Sequence, residues 1–124
     1  MYSLSKASKA KLEGVHPDLV RVVERAITIT EQDFSVIEGL RDLQRQRHLV
    51  DTGASKTMNS RHLTGHAVDL APYPLSWDWP KFYVISDAMK EAAHIEGVPI
   101  EWGGDWSSFP DGPHWQLPWS EYPK

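Results

Sequence analysis

Two histidines and two aspartates have the residue types and the spacing to bind and use a metal ion. His62 and Asp69 lie within SRHLTGHAVDLAPY, residues 60–73, and Asp111 precedes His114 in DGPHWQL. Histidine nitrogens and carboxylate oxygens are zinc ligands, and a catalytic zinc site commonly has three protein ligands and one open position. A carboxylate near a metal-activated water can accept its proton and later protonate the leaving amine. Taken alone, however, the Asp111-Gly112 pair would indicate only a common turn.

Asp69 has the strongest individual signal for a ligand. The alternation of the predicted strand 66–72 places Asp69 on one face and Val68 and Leu70 on the other. A carboxylate between two core residues is costly unless it is paired or binds an ion. The alternative is an Asp69 that caps a loop, with His62 hydrogen-bonded to the backbone. These two residues alone leave both interpretations open.

Composition excludes several classes of chemistry. The chain of 124 residues suits one domain, 1–124, and has no cysteine, which removes disulfides, thiolate metal sites and cysteine nucleophiles. A net charge of -4 gives little support for a nucleic-acid partner. No apolar run approaches the roughly 20 residues of a membrane span, and the N-terminus does not resemble a signal peptide.

Periodicity predicts helices and strands without a regular βαβ order, which favours an α+β fold with a small antiparallel sheet and flanking helices. The predicted helices are 16–29, 41–53 and 80–97, and the predicted strands are 33–40, 66–72, 98–102 and 114–117. Alternation in the first strand would place Phe34, Val36 and Glu38 on one side. His16, His48 and His94 are expected at the surface or at helix caps.

The two histidine-containing stretches together resemble a known family. SRHLTGHAVDL matches the Ser-x-His-x-x-Gly-x-Ala-x-Asp signature of the zinc D-Ala-D-Ala metallopeptidases, and DGPHWQL matches their second signature. The sequence is most similar to the branch of phage endolysins that act as L-alanyl-D-glutamate peptidases. The resemblance covers about residues 15–119 and implies the Hedgehog/D-Ala-D-Ala peptidase-like fold.

The resemblance implies a role for each matching residue. His62, Asp69 and His114 would bind one catalytic zinc ion, and Asp111 would be the general base and acid. Arg41 would stabilise the oxyanion of the tetrahedral intermediate, although Arg45 and Arg47 lie one and two turns further along the chain.

Further residues are expected around this site. Ser60 matches the signature serine and is expected to hydrogen-bond substrate or a ligand. Trp106 and Trp115 are expected to line a groove for a peptide stem. His66 is expected not to bind the metal, and Glu101 either orients a ligand histidine or faces solvent. Core or lid positions are predicted for Trp77, Trp79 and Trp119.

The function that the resemblance implies is hydrolysis of the peptide stem of peptidoglycan at the L-Ala–D-Glu bond. One alternative is a D-Ala-D-Ala carboxypeptidase or dipeptidase with the same mechanism. Another is a non-catalytic wall-binding module, which would keep the zinc ligands but would not need Asp111. We expect a monomeric endolysin without a separate wall-binding domain, made in the host cytoplasm and acting on the cell wall after the membrane is permeabilised.

Overall fold

A four-stranded antiparallel sheet separates a layer of helices from an open cavity. The computed structural model describes residues 1–55 and 57–123. In chain order its elements are α1 (Lys6–Lys11), α2 (Pro17–Ile29), β1 (Phe34–Glu38), α3 (Leu43–Asp51), β2 (Ala67–Pro72), α4 (Trp79–Glu96), β3 (Glu101–Trp102) and β4 (His114–Gln116). Two 3-10 helices, Arg61–Thr64 and Gly103–Asp105, lie beside the sheet. The predicted α+β class is confirmed.

Helix α2 begins and packs as its sequence predicts. His16 caps it, since its Nδ1 accepts a hydrogen bond from the Asp18 N–H at 3.1 Å, and Pro17 occupies the first turn. The apolar face includes Leu19 and Val22, which are fully buried, and α2 packs against α4.

None of the helices in the described ranges is long and apolar enough to cross a lipid bilayer.

The structure differs from the predicted elements mainly at their ends. Helix α1 was not predicted; Ser5 caps it, and its Ser8 hydroxyl accepts a hydrogen bond from the Val36 N–H at 3.0 Å. The predicted strand 98–102 is reduced to the two residues of β3, and part of the predicted loop 54–65 forms a 3-10 helix. These short segments lack the length over which periodicity can be detected.

The sheet has the order β1-β2-β4-β3, with every neighbouring pair antiparallel. Val36 pairs with Leu70, but the register then shifts, and Glu38 rather than Ile37 pairs with Asp69. A bulge adds one residue to a strand and reverses which face the following side chains reach. Glu38 therefore lies on the face of Asp69, and the predicted alternation that grouped it with Phe34 and Val36 is wrong at this position.

The two faces of the sheet have different chemistry. Val68 and Leu70 are fully buried in the core between the sheet and the helices. Asp69 and His114 are cross-strand partners and face the cavity. Strand alternation thus allows β2 to contribute both to the core and to a polar site.

Truncation of Leu19 tests the core. Leu19→Ala is expected to lower the free energy of unfolding by about 2–5 kcal/mol, because it leaves a cavity among fully buried side chains. Urea unfolding followed by circular dichroism would measure the change. Ile29→Ala is the matched control, because Ile29 lies at the end of the same helix and is 37% exposed. Its free energy of unfolding is expected to stay within about 0.5 kcal/mol of the wild type. Equal losses in both variants would contradict this description of the core.

Candidate metal centre and its cavity

Three side chains from different elements converge on one point of the polar face. The Asp69 Oδ1 lies 3.2 Å from His62 Nε2 and 3.3 Å from His114 Nδ1. One ligand atom from each residue lies within 4.8 Å of the others. The structure thus brings together the three predicted metal ligands, which are separated by up to 52 positions in the sequence.

The turn that carries His62 is fixed by close backbone contacts. The Ser60 hydroxyl caps the 3-10 helix by accepting a hydrogen bond from the His62 N–H at 3.2 Å. Gly65 ends this helix in the left-handed region, at φ +76°, where a Cβ would collide with the Gly14 carbonyl oxygen. Ser60 also lines the cavity. Its hydroxyl is hydrogen-bonded to the backbone of the turn that carries His62.

Each histidine uses one ring nitrogen to fix its orientation. The His62 Nδ1–H donates to the Gly39 carbonyl oxygen at 2.8 Å, and the His114 Nε2–H donates to the Gln116 Oε1 at 2.8 Å. The other nitrogen of each ring faces the Asp69 carboxylate. It donates a hydrogen bond to that carboxylate when the ring is protonated, and it offers its lone pair to a metal ion when the ring is neutral. Hydrogen bonds of this kind set the tautomer and orientation of metal-binding histidines. The resulting set of two imidazole nitrogens and one carboxylate oxygen fits a divalent metal ion.

Gln116 is a site residue that the sequence analysis missed. It lies two positions after His114 in β4, hence on the same face, and is 7% exposed. Its amide nitrogen donates to the Glu101 Oε2 at 3.4 Å, across the β3–β4 pair. Glu101 thus contacts Gln116, and Gln116 contacts His114; an orienting role for Glu101 stays a prediction.

Hydrogen bonds among the three residues shift the pKa values of Asp69 and His114. Burial alone would raise the pKa of Asp69, but hydrogen bonds from His114 and His62 outweigh burial and hold it well below its usual range. Burial lowers the pKa of His114, but its hydrogen bond to Asp69 is stronger and raises it overall. Asp69 is therefore ionised at neutral pH, as a metal ligand must be.

Asp111 adjoins the same cavity from the loop before β4. Its N–H donates to the Gly103 carbonyl oxygen at 2.9 Å, and its carbonyl accepts from the His114 N–H at 3.2 Å. A Cβ on Gly103 would lie 2.9 Å from the Asp111 Cβ, so only glycine permits this approach. Partial desolvation and the negative charge of Asp69 raise the pKa of Asp111. A raised pKa makes this carboxyl group easier to protonate, as a group that must both accept and return a proton requires.

Arg41 is held rigidly beside the three ligand residues. Its Nε donates to the Glu38 Oε1 at 3.0 Å and its Nη1 to the Gln46 Oε1 at 2.7 Å, while its Nη2 lies 3.9 Å from the Asp69 Oδ2. Gln46 is fully buried and also donates to the Ser55 hydroxyl. The Arg41 side chain is 9% exposed, so its guanidinium keeps one direction in the cavity.

The other two arginines considered for this role are less constrained. Arg45 also lines the cavity, but its side chain is 50% exposed and contacts Glu38 only at 3.5 Å. Arg47 is exposed on α3 and does not line the cavity. The geometry therefore supports Arg41 over both. Gln46, the second residue that the sequence analysis missed, is the buried group that holds it.

The cavity in front of these residues has a volume of about 870 Å³. Trp106 lines it and lies 5.2 Å from the His114 ring between centroids, as expected of a groove wall. Trp115 does not line it: this residue is 1% exposed and stacks on Trp102 in the core. The expectation for Trp115 is corrected because strand alternation sends its side chain to the face opposite His114.

Trp77, Trp79 and Trp119, which were predicted at core or lid positions, line the cavity. The rings that line it are Trp77, Trp79, Phe82, Trp106, Phe109 and Trp119. Trp77 is 60% exposed and Trp79 is 41% exposed, so neither is a core residue. His66 lies elsewhere, with its Nδ1 2.6 Å from the Thr64 hydroxyl and its ring 5.5 Å from His16.

Removal of the acceptor on Gln116 tests the orientation of His114. Gln116→Leu is expected to weaken divalent metal binding about 10–100-fold, because the imidazole loses the hydrogen bond that sets its tautomer. Competition between the protein and a chromophoric chelator, with Zn²⁺ as the probe, would measure the affinity. Gln44→Leu, on the exposed side of α3, is the matched control. Unchanged affinity in Gln116→Leu would remove Gln116 from the site.

Comparison with known proteins agrees with this geometry. Residues 1–116 match the model of the family described as phage L-alanyl-D-glutamate peptidase. The L-alanyl-D-glutamate peptidase of Escherichia phage T5 is 29% identical over 117 residues, which cover 89% of this chain and 85% of that protein. The L-alanyl-D-glutamate peptidase of Listeria phage A118 is 38% identical over 88 residues, 70% of this chain but 31% of that longer protein.

Solved structures give the same result. The crystal structure of the Serratia marcescens L-Ala D-Glu endopeptidase ChiX aligns with a TM-score of 0.92 and 47% identity, covering 98% of this chain and 94% of ChiX. The vancomycin resistance D,D-dipeptidase VanXYg aligns with a TM-score of 0.54 and 15% identity, over 83% of this chain and 50% of that one, and shows a shared fold only. The family match spans nearly the whole chain, and the chain therefore belongs to the phage L-alanyl-D-glutamate peptidase family.

Proposed function

We propose that this chain is a zinc-dependent peptidase that hydrolyses the L-Ala–D-Glu bond in the peptide stem of peptidoglycan. The observation that carries the proposal is the convergence of His62, Asp69 and His114 on one point of a cavity that Asp111 also lines. Membership of the peptidase family supports the choice of scissile bond, because its relatives from phages T5 and A118 bear that name.

The three ligand residues suit zinc. Two neutral imidazoles and one carboxylate form a common catalytic zinc set, and the chain contains no cysteine that could supply a thiolate. When bound, zinc supplies a Lewis acid that lowers the pKa of a water molecule and polarises a carbonyl group. The hydrogen bonds from the rings to Gly39 and Gln116 would keep both imidazoles in the tautomer that the ion requires.

Asp111 and Arg41 would divide the remaining chemistry. Asp111 would accept a proton from the attacking water and return it to the nitrogen of the leaving D-Glu residue. Its raised pKa favours this exchange, since the same carboxyl group must be ionised in one step and protonated in the next. Arg41 would stabilise the negative charge that develops on the scissile carbonyl oxygen, and its fixed position reduces reorganisation during the reaction.

The alternatives have less support. A D-Ala-D-Ala dipeptidase is favoured only by the shared fold with VanXYg at 15% identity. A wall-binding module would not require a carboxyl group held next to the ligand residues as Asp111 is. As part of the proposal, the enzyme acts as a monomer on the cell wall and reaches it from the host cytoplasm once the membrane has been permeabilised.

Mass spectrometry of fragments released from purified peptidoglycan, with and without a chelator, would test the activity. The proposal predicts chelator-sensitive release of peptides with a new amino-terminal glutamate and a new carboxyl-terminal alanine on the glycan side. Loss of terminal D-Ala alone would replace the endopeptidase with the carboxypeptidase. Absence of release from a preparation that contains one equivalent of zinc would favour the binding module.

Asp111→Asn tests the general base. The variant is expected to keep zinc binding and to lower kcat by about 10²–10⁴-fold, because the amide cannot accept and return a proton. Zinc content and turnover of a stem peptide would be measured on the same preparation. Asp105→Asn is the matched control, since Asp105 lies in the preceding 3-10 helix and pairs with Lys90 at the surface. Wild-type turnover in Asp111→Asn would reassign the base.

Arg41→Gln tests the oxyanion role. Loss of a preorganised donor is expected to lower kcat by about 10²–10³-fold with a smaller change in KM. Arg47→Gln, on the exposed side of α3, is the matched control. A larger decrease in kcat for Arg45→Gln than for Arg41→Gln would transfer the role to Arg45.

A further inference from the structure

The cavity wall carries several large and exposed aromatic rings. Trp77, Trp79 and Phe109, which we call the aromatic rim, line the cavity and are 60%, 41% and 72% exposed. Large rings are normally buried, and apolar patches beside a polar cleft commonly mark binding surfaces. Neither the ligand residues nor the proposed proton and oxyanion roles use these three side chains.

Two residues of the rim, Trp77 and Trp79, are held in place by packing against a buried ring. Trp77 stacks on Phe82 with ring centroids 6.0 Å apart and an interplanar angle of 19°, and Trp79 packs against the same ring at 6.1 Å. Phe82 is 4% exposed, and a Cβ on Gly112 would lie 3.3 Å from it. The rim is therefore supported from below by a core residue and adjoins the Asp111–Gly112 turn.

Phe109 adds an independent observation. Its φ of +53° lies in the left-handed region, which a bulky aromatic residue rarely adopts. The following residue is Pro110, and Asp111 comes directly after it. Such a conformation costs free energy, and it is found at binding and catalytic sites where a side chain must point in one direction. Here it presents the ring at the edge of the cavity.

Another part of the cavity lining is charged. Arg41, Arg45 and Glu38 form a network beside Asp69. The cavity therefore combines an aromatic region with a charged one. A substrate with an apolar-faced, uncharged part and an acidic part matches this division.

We propose that the aromatic rim is a subsite for a pyranose ring of the glycan strand; this inference rests on the proposed function. In peptidoglycan the amino group of L-Ala is joined to the lactyl ether of a muramic sugar. A cut at L-Ala–D-Glu therefore leaves one residue, roughly 3.5 Å of chain, between the scissile carbonyl and the lactyl group. The sugar must therefore lie close to the reacting atoms. The acidic part of the substrate, which begins with D-Glu, lies on the other side of the scissile bond.

Sugar chemistry matches partly exposed aromatic rings. The C–H groups on one face of a pyranose are slightly positive and pack on the negative face of a π system, while the hydroxyl groups stay in water. Rings that are half exposed at a cavity edge can provide such a platform without desolvating the hydroxyls. A purely peptidic substrate has no comparable flat apolar face at this distance from the scissile bond.

The test compares two substrates that differ only in the glycan. One is the disaccharide tetrapeptide, and the other is the N-lactyl tetrapeptide, which keeps the same amide but lacks the sugars. Wild-type kcat/KM is expected to be about tenfold higher or more for the disaccharide substrate, as one or two stacking contacts would give. Trp77→Ala and Phe109→Asn are expected to reduce this ratio, each by several-fold; asparagine tolerates the left-handed conformation.

Tyr2→Ala is the matched control, because Tyr2 is a 40% exposed aromatic residue outside the cavity, and its ratio is expected to equal that of the wild type. Equal kcat/KM for the two substrates in the wild type would overturn the inference. So would equal losses on both substrates in the rim variants, which would assign the rim to the peptide stem.

A binding measurement separates this inference from the proposed function. Stem-free glycan oligosaccharides would be titrated into the intact protein, and the indole N–H signal that disappears in Trp77→Ala would be followed by NMR. A shift of that signal supports the subsite even if neither substrate is cleaved, a result that would refute the hydrolytic function alone. Absence of any shift up to about 100 mM glycan, a binding free energy weaker than roughly 1.4 kcal/mol, would refute the subsite.

Discussion

The structure depends on one ionised carboxylate held between two imidazoles. Asp69 lies on a strand whose neighbouring side chains, Val68 and Leu70, are fully buried, so its charge must be compensated on the other face of the sheet. His114 provides part of that compensation as its cross-strand partner, and His62 provides the rest from a separate turn. A shift of one residue in the β2–β4 register would bury the charge and expose the core, so the candidate metal centre and the fold require the same register.

Close backbone approaches bring the remaining groups to that carboxylate. The turn that carries His62 can reach β2 because Gly65 lies against the backbone at Gly14, and the loop that carries Asp111 can reach β4 because Gly103 has no side chain. A bulge in β1 adds Glu38 to the same face, and Glu38 in turn holds Arg41. Backbone geometry thus brings His62, Asp111 and Glu38 to the site, and the Glu38 and Gln46 side chains then hold Arg41 beside Asp69.

The sequence was most informative where residue type and spacing both constrain chemistry. The convergence of His62, Asp69 and His114 could be predicted because a carboxylate among alternating apolar residues needs a partner, and because the two family signatures occur in the correct order. Gln46 and Gln116 were missed, since a buried glutamine has the same appearance in a sequence as an exposed one. The position of Trp115 was available from alternation: once His114 faces the cavity, its neighbour must face the core. The bulge at Ile37 has no comparable signal, because tertiary contacts decide where a strand adds a residue.

Arg61 holds His62 and His114, which are far apart in the sequence, in fixed relative positions. It precedes His62, is 2% exposed, and donates from its Nη2 to the carbonyl oxygens of Leu117 at 2.9 Å and of Tyr122 at 2.6 Å. Trp119 covers the guanidinium at 4.1 Å. Burial lowers the pKa of Arg61, but a guanidinium stays protonated at physiological pH. The cation therefore ties the His62 turn to the segment after β4, so that the two histidines are fixed relative to each other before any metal ion binds.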